Sequence, residues 1–244
     1  MSLARRVLAE TLGSLLLAAT VIGSGIMAER MAAGNAALAL LANTGATVAA
    51  LAVLITLLAP ISGAHFNPAV TLVLALRRQL GLKEAGLYVL AQVLGCCLGA
   101  VLAHAMFELP LLQVSTHVRT GPGQWLAEFV ATAGLVLVIL GVRRSRDAAW
   151  TVAAWIGAAY WFTASTSFAN PAISLARSLT DTFTGIQPRD VPSFVLAEVL
   201  GALAALLTAR FLFPTDAIHG IGRAPVATEE RSATVQLSAE MKRQ

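Results

Sequence analysis

Charge is scarce in this chain: Asp, Glu, Lys and Arg together supply only 12% of its 244 residues. An ordinary soluble domain carries about twice that share, so this sequence lacks the polar surface a water-dispersed fold of its size requires. Cysteine is scarcer still, with Cys96 and Cys97 alone. Two adjacent thiols point to different faces of a helix, which excludes a disulfide framework or a cysteine metal cluster and leaves them as small buried residues. Four histidines are present, and His104, His117 and His219 have no convergent partners, so helix-end or loop roles are expected of them. No nucleophile and base stand together in a motif, so no catalytic residue, metal or cofactor is expected and the chain does not read as an enzyme.

What is abundant is apolar. Hydrophobic residues make up 57% of the chain, and the mean hydropathy is +0.74. Apolar stretches near the roughly 20 residues that cross a bilayer occur at 7–28, 36–59, 85–107, 125–142, 148–165 and 193–213. The sequence therefore predicts an all-α membrane protein with six spans. The first run follows Arg5 and Arg6, as a signal peptide would, but it is too long for a signal core. Its Leu8-Ala-Glu also recurs internally as Leu126-Ala-Glu. Trp150, Trp155, Tyr160 and Trp161 suit interfacial belts or core filling.

The basic residues report topology. With both termini inside, the inner segments hold Arg5, Arg6, Arg77, Arg78, Lys83, Arg143, Arg144, Arg146, Arg210, Arg223, Arg231, Lys242 and Arg243, against Arg30, Arg119, Arg177 and Arg189 outside. The net charge of +4 is thus a membrane-orientation signal and gives no reason to expect nucleic acid. Residues 1–213 read as one domain, and the polar stretch 214–244 as a cytoplasmic tail that starts where Pro214 ends the last span.

The domain divides into two similar halves, about 7–107 and 125–213. Glu10, Asn67 and Gln92 of the first match Glu128, Asn170 and Glu198 of the second, and Leu90-Ala-Gln-Val-Leu-Gly matches Leu196-Ala-Glu-Val-Leu-Gly. Three spans per half invert the second half relative to the first, an arrangement that recurs in proteins moving solutes across membranes. Between the second and third span of each half lies an interruption ending in Asn-Pro-Ala: Asn67, Pro68 and Ala69, then Asn170, Pro171 and Ala172. Asn caps a helix and Pro suits its first position, so each box predicts a re-entrant half-helix, over 69–76 and 172–179. Irregular backbone at membrane depth is tolerated only against protein or a wet cavity. Gly13, Gly95, Gly99 and Gly201 read as points of close helix approach.

Ile61-Ser-Gly-Ala-His-Phe-Asn-Pro-Ala-Val-Thr71, together with the order of spans, resembles the aquaporin (major intrinsic protein) family. That resemblance implies six tilted helices, two half-helices meeting at mid-membrane, one pore per subunit and a homotetramer. It also implies that Glu10 and Glu128 hold the re-entrant loops and that the backbone at His65 lines the pore. A proton-coupling role for the two carboxylates is the sharper alternative, as is a gate at His65. Counting from the two Asn residues carries the family's outer constriction onto Thr47, Ala158, Ser167 and Ile173. There the family has an aromatic residue, often His, and nearly always Arg in the last position. Ile173 in that last place removes a fixed charge, which predicts a wider and less polar opening.

The stretch 168–183 resembles a bacterial subgroup associated with arsenic-resistance gene clusters. The implied cargo is small neutral solutes, with arsenite and antimonite hydroxides leading and glycerol, urea or water next; the implied location is the bacterial plasma membrane. An ion-coupled transporter and a non-conducting structural protein are the rival classes. Arg177 and Asp181 stand four apart on the second half-helix, so a local ion pair is expected. The alternative is that Arg177 reaches the outer vestibule in place of the missing filter charge.

Overall fold

The computed structural model describes residues 1–142 and 144–213, and the tail from 214 onward, His219 included, lies outside them. Helices form α1 (Leu3–Met31), α2 (Ala36–Ser62), α3 (Pro68–Leu76), α4 (Leu82–Met106), α5 (Pro122–Gly141), α6 (Ser145–Phe162), α7 (Pro171–Ala176) and α8 (Val191–Leu212). No strand occurs among the described residues. Starts follow local chemistry. Ser2 and Asn35 accept backbone N–H groups at the heads of α1 and α2, and Pro occupies the first turn of α3, α5, α7 and α8. Gly63, at φ 92°, ends α2 in the left-handed conformation that glycine adopts without a steric cost.

Five helical stretches, α1, α2, α4, α5 and Pro188–Leu212, are long and apolar enough to cross a membrane. The sixth expected span is the shortest. α6 has 18 residues, about 27 Å at the helical rise, and its first turn contains Arg146 and Asp147. It ends at Phe162 rather than running to 165, because Thr163 turns into extended backbone. It still fills the sixth place in the bundle, packed between α2 and α5.

The bundle is built inside out relative to a soluble one. On α4, Leu87, Leu90, Leu94 and Leu98 are exposed, while Tyr88, Gln92 and Cys96 face inward with no exposed surface. Apolar contact with lipid gives no inward drive, so close approach depends on small residues. α1 packs on α4 and α5 on α8, the matching first and third long helices of each half. A Cβ on Gly95 would lie 2.5 Å from the Thr11 carbonyl oxygen, one on Gly99 2.4 Å from that of Leu15, and one on Gly201 2.3 Å from that of Phe129. Gly13 differs from the expectation of helix contact, since its missing side chain makes room for the Phe66 ring.

α3 and α7 enter from opposite ends and meet at their amino termini, and together with α4 and α8 they close the centre. The second half-helix is shorter than the 172–179 read from sequence. The α-helix stops at Ala176, and Arg177–Leu179 tightens into a 3-10 turn.

Backbone atoms cannot step aside as a flexible side chain can, so bulk at the crossings should cost at least the about 1–3 kcal/mol typical of overpacking. Gly99→Leu and Gly201→Leu should each sharply lower the yield of monodisperse protein in detergent, measured by size-exclusion chromatography. Gly86→Leu, at a glycine with nothing near its Cβ position, should leave it unchanged.

Candidate functional site

The centre of the molecule is a crossed pair of asparagines. The Asn67 side-chain oxygen accepts the Ala69 N–H at 2.9 Å, capping α3, while its amide nitrogen donates to the Ala169 carbonyl at 2.7 Å. Asn170 does the same in reverse. Its oxygen accepts the Ala172 N–H at 3.0 Å and its nitrogen donates to the Phe66 carbonyl at 2.8 Å. Each box is thereby locked to the loop of the other. The positive ends of the two half-helices face one another at this point.

The loops entering the boxes are strained. Ala64 and Phe66 in the first, and Thr166, Ser167 and Ala169 in the second, have φ between 48° and 64°, each at a cost of order 1–3 kcal/mol. Buried carboxylates hold them. Glu10 accepts the His65 and Phe66 N–H groups at 3.0 and 2.8 Å, the Ser62 hydroxyl at 2.6 Å and the Gln92 amide at 2.8 Å. Glu128 accepts the Phe168 and Ala169 N–H groups at 2.9 and 2.7 Å. Hydrogen bonds to a charged acceptor contribute about 1.5–3 kcal/mol each, enough to offset the backbone strain. His65 bonds Thr71 at 3.1 Å and meets the Tyr88 ring edge-on.

Glu198 is a third buried carboxylate in this network. Its Oε1 accepts the Asn170 N–H at 3.1 Å and the Ser174 hydroxyl at 2.7 Å. In the first half the matching residue is Gln92, whose amide donates to both Glu10 and Thr71. The alignment of halves pairs Glu198 with Gln92, which is the sequence signal for its place.

A cavity of about 750 Å³ passes the crossed asparagines, reaching Met1 and Arg6 at one end and Tyr160, Ser167 and Arg177 at the other. Its walls differ in kind. The re-entrant loops, 61–67 and 167–170, supply a polar side. Helical stripes supply an apolar one, with Leu51, Ile55 and Ala59 below Thr47 on α2, and Val152 and Ile156 below Tyr160 on α6.

Of the four constriction positions counted from the boxes, Thr47, Ser167 and Ile173 line this cavity. Ala158 does not. It is exposed on the outward face of α6 with Trp150, Ala154 and Trp161. Tyr160, two residues on and so turned by about 200°, is the residue that faces in, and its hydroxyl donates to Thr47 at 3.4 Å. The four-residue spacing of Val152, Ile156 and Tyr160 marks the inward stripe, and counting back from Asn170 misses it because residues 163–170 are not helical. The Ser167 hydroxyl is buried and has no partner.

The expected Arg177–Asp181 ion pair does not form. The helix on which the pair depends ends at Ala176, and Thr180 is extended. Asp181 instead accepts the Thr116 N–H and hydroxyl at 2.7 and 2.9 Å, which hold its carboxyl below the usual carboxylate range. Arg177 is buried at 3% exposure, lies over the Phe168 ring and donates from Nε to the Thr184 carbonyl. His104 is a helix-end clamp, bonded to the Leu111 carbonyl and the Thr180 hydroxyl.

Comparison with known proteins agrees with this geometry. The family model described as Major intrinsic protein matches residues 1–154. Aquaglyceroporin AqpS of Rhizobium meliloti (strain 1021) is 59% identical over 212 residues, covering 86% of this chain and 91% of that protein. Aquaporin A of Dictyostelium discoideum is 33% identical over 186 residues, covering 70% and 66%. Among solved structures, the aquaglyceroporin from Plasmodium falciparum shares the fold with a TM-score of 0.62 at 22% identity, covering 88% of this chain and 97% of that one.

Glu198→Gln reproduces the amide of Gln92 and should be tolerated, whereas Glu128→Ala strands two buried N–H groups at about 1–3 kcal/mol apiece. Thermal unfolding in detergent should therefore change little for the first and fall markedly for the second. Equal losses would mean that Glu198 is held by something other than the contacts described.

Proposed function

We propose, starting from the fact that this chain belongs to the major intrinsic protein family, that it is a passive channel for small uncharged solutes. The observation that carries the proposal is a cavity running past both Asn67 and Asn170, with Ile173 and Ser167 at the positions next to the outer box. A solute at the crossed asparagines meets donor groups and the positive ends of two helices, so it must offer acceptors. A cation there faces repulsion in addition to the cost of losing its water.

The two kinds of wall define the cargo further. Hydroxyls can bond the polar loop side, while the carbon or metalloid side of the solute rests on Leu51, Ile55, Val152 and Ile156. Compact polyhydroxylated molecules fit that description, so arsenite and antimonite hydroxides lead and glycerol follows. Names of relatives accord with the glycerol class, two of those compared being called aquaglyceroporins.

The corrected outer ring is Thr47, Tyr160, Ser167 and Ile173. It regains an aromatic residue that the sequence count had left out, and it is narrower on the α6 side than Ala158 would have made it.

The location proposed is the bacterial plasma membrane with both termini cytoplasmic. It rests on the charge of the segments that hold Arg5, Arg6, Arg77, Arg78 and Lys83. Arg6 pairs with Glu84 across α1 and α4 at that end. Family membership supports assembly as a homotetramer.

Stopped-flow swelling of proteoliposomes with water, glycerol and arsenite in parallel tests the reading. At least one solute should enter faster than into empty vesicles, and none doing so removes the channel assignment. Ile173→Arg should slow glycerol and arsenite more than water. Tyr160→Ala should speed the two larger solutes, while Ala158→Phe, on the outward face, should leave all three rates within about twofold, a change worth less than 1 kcal/mol.

A further inference from the structure

We infer that Arg177 is the charge-selecting residue of this channel, a displaced cation that bars positively charged solutes while leaving neutral ones of the same shape to pass. The inference rests on the channel reading above and adds to it the residue that separates charged from uncharged cargo.

Arg177 lies in the 3-10 turn after α7 and lines the outer end of the cavity beside Phe168 and Ile173. It is held in two ways. Its guanidinium carbon stands 3.3 Å from the centroid of the Phe168 ring, and its Nε donates to the Thr184 carbonyl. Neither contact neutralises it. Among the described residues it forms no ion pair, and its two terminal nitrogens make no hydrogen bond. Four of its five N–H donors therefore have no hydrogen-bond partner among the described residues.

The surrounding charges reinforce the effect. Arg119 approaches the same Phe168 ring at 5.3 Å and is tied to the Gly185 and Phe183 carbonyls, so a second cation shares the ring with the first. None of the nearby carboxylates forms an ion pair with Arg177 or Arg119 among the described residues. Glu128 and Glu198 hold backbone N–H groups of residues 168–170, Asp181 is turned to Thr116, and Asp190 takes the Arg119 backbone N–H and stands by Arg189. A guanidinium is charged at every relevant pH. Held by the Thr184 carbonyl and an aromatic face rather than paired with an acid, it presents a positive charge at the mouth of the cavity.

Urea and guanidinium are planar, nearly equal in size and differ by one charge, so they isolate this effect. Uptake of each into proteoliposomes should show the native protein passing urea and excluding guanidinium. Arg177→Gln keeps an N–H for the Thr184 carbonyl and removes the charge; it should raise guanidinium entry on the order of tenfold to a hundredfold, the size of a like-charge repulsion at roughly 6–12 Å near a protein surface. Urea entry should change by less than about threefold, under 1 kcal/mol. Arg177→Lys should keep guanidinium out.

Native protein that passes both solutes equally overturns the inference while leaving the channel reading intact. Native protein that passes none of urea, water, glycerol and arsenite removes the channel reading itself. Exclusion of guanidinium by folded Arg177→Gln, checked by size-exclusion chromatography, overturns the inference. So does failure of that variant and of Arg177→Met to fold, since Arg177 is then an architectural residue.

Discussion

The reciprocal hydrogen bonds between Asn67 and Ala169, and between Asn170 and Phe66, are the contact on which the rest of this structure depends. They join two chain segments that enter from opposite faces, and they do so where neither lipid nor a continuous helix can satisfy the backbone. Everything near them serves to keep that junction in place. Positive φ values in both loops turn the chain sharply enough to bring each asparagine across. Glu10 and Glu128 make those conformations affordable by collecting N–H groups that would otherwise be buried without partners. The glycines at the α1–α4 and α5–α8 crossings bring the helices carrying those carboxylates close enough to reach.

Much of this was legible in the sequence because it repeats. Two Asn-Pro-Ala boxes at matching places, with matching Glu residues before them and Gln92 or Glu198 after, define an inverted duplication that no local propensity could counterfeit. The half-helix starts were legible for the same reason, since Asn and Pro act through short-range capping. The positions that escaped depend on backbone geometry between motifs. Ala158 was reached by counting back through residues that are not helical, and the count lands on the wrong face of α6. Tyr160 was set aside as belt or filler because an aromatic near a span end usually is. The pairing of Arg177 with Asp181 assumed a helix that stops at Ala176. In each case the sequence carries the residue type but not the rotation that aims it.

A polar loop side and an apolar helix side give the cavity a preference that neither would give alone. Water needs no apolar wall, and an apolar solute finds no advantage in the loop. A small molecule with hydroxyls on one side gains from both. On the proposed reading, the junction repels cations and Arg177 adds its charge further out, so the architecture that opens the cavity to neutral hydroxylated solutes closes it to positive ones. The proposal thus assigns selection by charge to Arg177 and the asparagine pair, and selection by shape to Thr47, Tyr160, Ser167 and Ile173.

If the crossed asparagines form an open junction rather than an occluded carrier site, transport must follow the solute's own gradient. The most direct measurement is the initial rate of glycerol entry into proteoliposomes over a wide range of external glycerol, with and without an imposed proton gradient. The account predicts rates that rise in proportion to the glycerol gradient, that are equal for entry and exit, and that ignore the proton gradient. Saturation at low glycerol together with proton-driven accumulation would contradict it and would turn Glu10 and Glu128 from loop supports into coupling sites.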